Sequence, residues 1–238
     1  MTKPRKILTI GPLRRTHHLL LAHGAGAPMT SPFLTTLGEL LNRAHITVHR
    51  FEFPYMREQR LTAHRRPPPP AETLVESYLK VLYFCKDKLP PSARLFIGGK
   101  SMGGRVATIV AGIPELKKII EGLIVVGYPF HPPGKPQRLR TQPLKECLRP
   151  ALIIQGTRDP FGTKEEVLSY RLPKRIKLFW SEDGNHDLRP RASSGRTPEE
   201  ALEEVAETVA SFMTSQTPCA SKNKKNPLPS SSKEKLIL

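Results

Sequence analysis

Aspartate is scarce in this 238-residue chain: there are four, Asp87, Asp159, Asp183 and Asp187. Aromatic residues make up 6% and tryptophan occurs once, so a buried core must be mainly aliphatic. Cysteine occurs three times, at Cys85, Cys147 and Cys219, widely spaced and odd in number. No CxxC pair is present, which excludes the usual cysteine zinc signature and reads as reduced thiols in a cytoplasmic protein. No apolar run approaches the ~20 residues of a membrane-spanning helix. The apolar part of the N-terminal MTKPRKILTIGPLRR is too short for a secretory signal. The final LIL is no retention or peroxisomal address. Acidic residues are few as well, 21 against 38 Lys plus Arg, for a formal charge of +17. Such an excess suits contact with anions, whether nucleic acid, acidic membrane surface or acidic small molecule, and equally a generally arginine-rich background. No interleaved aromatic and basic motif of the kind that marks nucleic-acid modules accompanies it.

What the chain does have is a series of short apolar runs separated by turn signals. KILTI (6–10), HHLLLA (17–22), ITVHRFEF (46–53), RLFIG (94–98), GLIVVG (122–127), ALIIQG (151–156) and RIKLFW (175–180) read as strands. Most are continuous rather than alternating, as expected for strands covered by helices on both faces. Helical patterns lie between them over 32–43, 71–88, 104–112, 114–121 and 164–170. A last helix starts at Pro198 and runs to about 213, with Thr197 as cap and Glu200 completing a capping box. Its Leu202, Val205, Val209 and Phe212 fall on one face. Alternating strands and helices predict a mainly parallel, doubly wound α/β sheet of seven strands. HRRPPPP (64–70) reads as a stiff basic loop. The segment 215–238, rich in Ser, Lys and Pro and without periodicity, reads as a disordered basic tail after a single domain spanning 1–214.

One stretch carries a chemical signature. GKSMG, Gly99 to Gly103, matches G-x-S-x-G between a strand and an apolar-periodic helix. In such a turn the serine backbone is strained, and glycine two residues to each side avoids collision. The turn lifts the hydroxyl above the sheet and aims a helix N-terminus at developing negative charge. The competing readings are a mere tight turn or a phosphate loop, but the Lys-Ser/Thr ending of a P-loop is missing.

With that turn in place the sequence resembles the α/β-hydrolase superfamily, whose chain order is serine, then acid, then histidine. Two histidines follow Ser101. His186, in the loop SEDGNHDL after the last strand, matches the family's base. His131, in PFHPPG, is the weaker candidate and a possible lining residue. The resemblance implies the acid after the penultimate strand, where QGTRDPFG holds Asp159; Asp87 precedes the serine, and Asp183 and Asp187 share a loop with His186. Asp159 as a simple helix cap is the plainer alternative. The loop AHGAGAPMTSPF resembles an oxyanion loop through His23, Gly24, Ala25 and Gly26, which implies backbone N–H donors from Ala25 and from Met102. The segments AHGAGAPMTSPF, FEFPYM, RRPPPP, GGKSMGGR, QGTRDPFG and GNHDL together look like the α/β-hydrolase-like family of testis-expressed protein 30 and subunit 3 of the NSL chromatin complex. Dienelactone hydrolases are more distant relatives.

The resemblance implies an α/β-hydrolase fold without a cap domain, since about two dozen residues, 128–150, separate the two strands where relatives insert one. The family pattern has eight strands, so the first edge strand is expected to be missing. It also implies a Ser101–Asp159–His186 hydrolase of the esterase or thioesterase type, acting on a small-molecule acyl substrate with no metal or organic cofactor. Lys100, Arg105, Arg158 and Arg189 lie near the expected site and suit acidic acyl groups, or are plain solvated surface. The reading from another class is a catalytically silent scaffold that binds protein or nucleic acid. The basic tail suits weak polyanion contact in either case.

Overall fold

Parallel strands buried on both faces favour apolar side chains at most positions, and most of the continuous runs supply them. The computed structural model describes residues 6–62 and 67–216. Its seven strands are β1 (Ile7–Ile10), β2 (His17–Ala22), β3 (Thr47–Phe51), β4 (Arg94–Lys100), β5 (Ile120–Val126), β6 (Ala151–Gly156) and β7 (Ile176–Ser181). They form one sheet in the order β1-β3-β2-β4-β5-β6-β7. β1 pairs antiparallel with β3 at one edge, and every other pairing is parallel.

Helices cover both faces. They are α1 (Pro32–Arg43), α2 (Pro54–Thr62), α3 (Val75–Lys86), α4 (Met102–Ala111), α5 (Gln142–Glu146), α6 (Lys164–Ser169) and α7 (Pro198–Ser215). Successive strand residues point to opposite faces, so β2 divides its side chains between two cores. Leu20 and Ala22 pack with Tyr78, Leu82, Val106 and Val110 of α3 and α4. Leu19 and Leu21 pack with Leu34, Leu37 and Leu41 of α1 and with Val205, Val209 and Phe212 of α7. The Tyr78 hydroxyl donates to the Gly98 carbonyl at 2.8 Å and accepts from the Gly98 N–H at 3.0 Å, tying α3 to the strand that leads into the serine turn.

The expected capping box at α7 is present, with Thr197 Oγ1 accepting from Glu200 N–H and Glu200 accepting from Thr197 N–H. Three differences from the sequence reading stand out. α2 was not expected: Met56 is its one buried residue, so it carries no apolar stripe to read. The pattern over 114–121 resolves into a 3-10 turn, Pro114–Lys118, because β5 already starts at Ile120. At the other end α7 continues to Ser215, and the Gln216 carbonyl accepts from Arg94 Nη2 at 2.7 Å, so the first residues assigned to the tail pack on the domain. The rest of the proposed tail and part of the 64–70 loop lie outside the described residues. Cys85 and Cys147 are buried free thiols, and Cys219 is outside the described residues. Among the described residues no helix is long and apolar enough to cross a membrane.

Candidate active site

β4 ends at Lys100 and α4 begins at Met102, so Ser101 alone makes the turn between them. Its backbone sits at φ 52, ψ −115, a conformation that costs an L-residue strain energy. The turn is held by Ser101 N–H to the Val126 carbonyl at 2.8 Å and by Arg105 N–H to the Ser101 carbonyl at 3.0 Å. A Cβ on Gly99 would overlap the Gly103 backbone, and one on Gly103 would overlap the His23 carbonyl. Both glycines of the pentapeptide are therefore demanded by packing. Gly24 and Gly26 are not: a Cβ at Gly24 meets ordinary contacts and at Gly26 open space.

His186 reaches the serine from the loop after β7. Its Nε2 lies 2.9 Å from Ser101 Oγ, and its Nδ1 lies 2.8 Å from Asp159 Oδ2. Asp159 is fully buried. Its Oδ2 also accepts from Gln155 Nε2 at 2.8 Å, and its Oδ1 accepts from the Phe161 N–H at 2.9 Å. Every one of these partners donates, so the carboxylate accepts throughout. His186 then carries its proton on Nδ1 and offers the Nε2 lone pair to the serine O–H. The Phe161 ring lies against the imidazole, centroids 4.3 Å apart, and limits its tilt.

Asp183 and Asp187 are engaged elsewhere. Asp183 accepts from Arg191 N–H at 2.7 Å and from its Nε at 2.9 Å, and pairs with Arg158 at 3.0 Å. The hydrogen bonds from Arg191 hold its carboxyl down at about 2. Asp187 pairs with Lys100 at 3.2 Å. His131 does not border the site: it is buried, with Nε2 3.4 Å from Glu166 Oε2 of α6.

The loop after β2 is braced from behind. Phe53 N–H donates to His23 Nε2 at 3.0 Å, so His23 carries its proton on Nδ1 and donates it to the Gly24 carbonyl at 2.6 Å. The Tyr55 hydroxyl approaches the Gly24 and Ala25 carbonyls at 3.4 and 3.2 Å. Burial pushes the His23 pKa down and the Tyr55 pKa up, keeping both neutral. In a trans peptide the N–H points opposite the preceding carbonyl. Turning the Gly24 carbonyl toward His23 and Tyr55 therefore directs the Ala25 N–H away from them. Met102 is the first residue of α4, where a backbone N–H has no intrahelical acceptor.

A cavity of about 740 Å³ opens over Ser101 and His186. Gly24 and Ala25 border it, as do Phe33 and Leu34 of α1 and Pro198 and Leu202 of α7. Of the four basic residues placed near the site, Lys100 and Arg189 line this cavity. Arg158 is paired with Asp183, Arg105 with Glu72, and neither borders it. Formal charge in the lining balances, with Asp187 and Glu199 against Lys100 and Arg189. Sequence reasoning missed Gln155, Phe161 and Tyr55. Gln155 had a signal, being the one polar side chain in the run ALIIQG.

A family model described as an alpha/beta hydrolase domain matches residues 15–214. Solved structures share the architecture at low identity. A serine hydrolase homologue from Coxiella burnetii is 17% identical with a TM-score of 0.66, over 90% of this chain and 95% of that one. The ferulic acid-bound Est1E from Butyrivibrio proteoclasticus is 17% identical with a TM-score of 0.65, over 89% and 94%. A dienelactone hydrolase from Anabaena variabilis is 19% identical with a TM-score of 0.65, over 88% and 91%. With its matched span running from before β2 to the end of α7, the chain belongs to the alpha/beta hydrolase domain family.

Proposed function

We propose that this protein is a serine hydrolase that cleaves an ester or thioester through an acyl-enzyme, with Ser101 as nucleophile, His186 as base and Asp159 as orienting acid. The observation that carries this reading is the unbroken hydrogen-bonded chain from Ser101 Oγ through the imidazole to Asp159. Ser101 Oγ attacks the acyl carbonyl carbon as its proton passes to His186 Nε2. Asp159 accepts from Nδ1 and stabilises the imidazolium that forms. The oxyanion is held by the N–H groups of Met102 and Ala25. Collapse breaks the bond to the leaving alcohol or thiol, which takes the proton from Nε2. Water then attacks the acyl-serine, gives its proton to His186, and the acid leaves as that proton returns to Ser101.

The balanced charge of the lining and its apolar walls favour an uncharged acyl group over an acidic one. Within the family, we place the chain nearest the branch of testis-expressed protein 30 and NSL complex subunit 3, on the quoted segments. The test is hydrolysis of a series of short neutral esters and thioesters by purified protein. S101A should fold normally and lose at least about 10³-fold in kcat. A folded S101A with unchanged turnover would reject the assignment.

A further inference from the structure

Lys100, the residue before the serine, takes no part in the proton chain, yet its side chain is 8% exposed. A lysine is seldom buried to that degree without specific partners. Its Nζ donates to the backbone carbonyl of His186 at 2.6 Å and pairs with Asp187 Oδ1 at 3.2 Å. The Phe33 ring lies on another side, 5.7 Å from Nζ to its centroid. Space for the joint comes from Gly127, just past β5, whose φ of +64 suits glycine. A Cβ there would crowd the His186 carbonyl at 3.0 Å and Nζ at 3.2 Å.

We propose that Lys100 is a positioning residue: its ammonium ties the strand that carries the nucleophile to the loop that carries the base. The inference rests on the reading of Ser101, His186 and Asp159 given above. The imidazole is fixed at its far side by Asp159, and the loop that carries it is tied to the turn after β6 upstream of the histidine, where Arg158 N–H donates to the Gly184 carbonyl at 2.9 Å and Arg158 Nε to the Asp183 carbonyl at 3.0 Å; from His186 onward its hydrogen bonds are largely internal. Asn185 Oδ1 accepts from Asp187 N–H and Arg189 N–H, and Leu188 N–H donates to the Asn185 carbonyl. These bonds hold the shape of the loop but do not join it to the strand that carries Ser101. The bond from Lys100 to the His186 carbonyl ties the loop's backbone to the serine turn at the base itself. Asp187 compensates the charge, working against the burial that pushes the Lys100 pKa down.

The other role open to a buried ammonium in the cavity is anchoring an anionic substrate. The two roles separate kinetically. K100M keeps the length of the side chain and removes the charge and donors. On a short neutral ester we expect kcat to fall about 10- to 100-fold, as for a misplacement on the order of 1 Å, with KM within about twofold. Fluorophosphonate labelling of Ser101 should slow in parallel. K100C alkylated with 2-bromoethylamine, which restores an ammonium at similar reach, should recover most of kcat. A folded K100M with unchanged kcat, or with KM raised alone, overturns the proposal. If K100M does not fold, D187N decides. It should lower kcat about 2- to 5-fold at constant KM, and an unchanged kcat overturns the proposal. Equal labelling of wild type and K100M removes this inference alone, whereas wild-type protein that neither labels nor turns over ester removes the hydrolase reading with it.

Discussion

Among the described residues two hydroxyl–imidazole contacts have nearly the same length, and the proposed chemistry uses one of them. At the C-terminal ends of the strands, Ser101, His186 and Asp159 are linked at 2.9 and 2.8 Å. Toward the antiparallel edge, Thr9 Oγ1 lies 3.0 Å from His49 Nδ1, and His49 Nε2 lies 3.0 Å from His18 Nδ1. His18 Nε2 ends that chain on the Arg15 carbonyl at 2.7 Å. A carbonyl only accepts, so His18 donates to it, His49 donates to His18, and Thr9 donates to His49. The direction of donation matches the chain from Ser101 to Asp159. The terminus does not: a carbonyl lacks the carboxylate charge that Asp159 places behind His186. Burial, with His18 nearby, pushes the His49 pKa down to about 4. Thr9 sits in regular strand, whereas Ser101 sits at positive φ before a helix N-terminus. What sets the Ser101 chain apart is its anionic terminus and the cavity over its hydroxyl, not the hydroxyl–imidazole contact.

The sharpest way to break this comparison is to remove the anionic terminus. D159N should lower kcat by about 10³- to 10⁴-fold, because an amide no longer favours the required tautomer. D183N should stay within about twofold, since its carboxylate serves Arg191 and Arg158. T9V, which cuts the second chain at its hydroxyl, should leave kcat/KM within about twofold. Steady-state kinetics on one neutral ester decides all three. Comparable losses in D159N and D183N would mean that the base is oriented from its own loop.

The second chain should instead reveal itself in acid. The unfolded chain binds the His49 proton near pH 6.5, the folded chain only near 4. Above 6.5 neither state holds it and stability is at its plateau. As pH falls from 6.5 to 4 the unfolded state gains protons, which costs about 3 kcal/mol. His17, His18 and His23, also pushed down chiefly by burial, act in the same direction. Asp183 contributes only below this window, where its carboxyl at about 2 takes up a proton later than an unfolded one. Urea unfolding across this range should show the decline. H49Q, which keeps a donor toward His18 and an acceptor for Thr9, should flatten it. Parallel profiles for the two proteins would contradict the account.

The smallest effect should come from shortening the C-terminus. Ending the protein after Gln216 removes a net charge of +4, from five lysines against Glu234. Melting temperature and turnover should hold, while elution from heparin moves to lower salt. Ending it after Thr214 also removes the Gln216 carbonyl that accepts from Arg94, at a cost of about 1 kcal/mol. Identical heparin elution would exclude the tail as a polyanion contact.

Much of this was legible in the chain. The strands announced themselves as continuous apolar runs because both faces of the sheet are covered, and Ser101, Asp159 and His186 each follow such a run. The expected roles of Gly99 and Gly103 reappear as actual collisions. Less visible were elements without an apolar face, such as α2, and roles created by distant backbone. Tyr55 serves carbonyls of Gly24 and Ala25, and Lys100 reaches a carbonyl 86 residues away. No local pattern encodes such partners. The basic residues near the serine also looked alike in sequence, yet Arg105 and Arg158 turn to carboxylates outside the cavity while Lys100 turns inward. Charge at a sequence position does not say which side of a loop it serves.

The central claim is that Ser101 alone, of the two hydroxyls bonded to histidine among the described residues, is activated. Intact-mass and peptide mapping after treatment with a fluorophosphonate test it most directly. The account predicts one adduct per chain, located on Ser101, absent in S101A and formed far more slowly in D159N. An adduct at another residue, or labelling that survives unchanged in S101A, would contradict it.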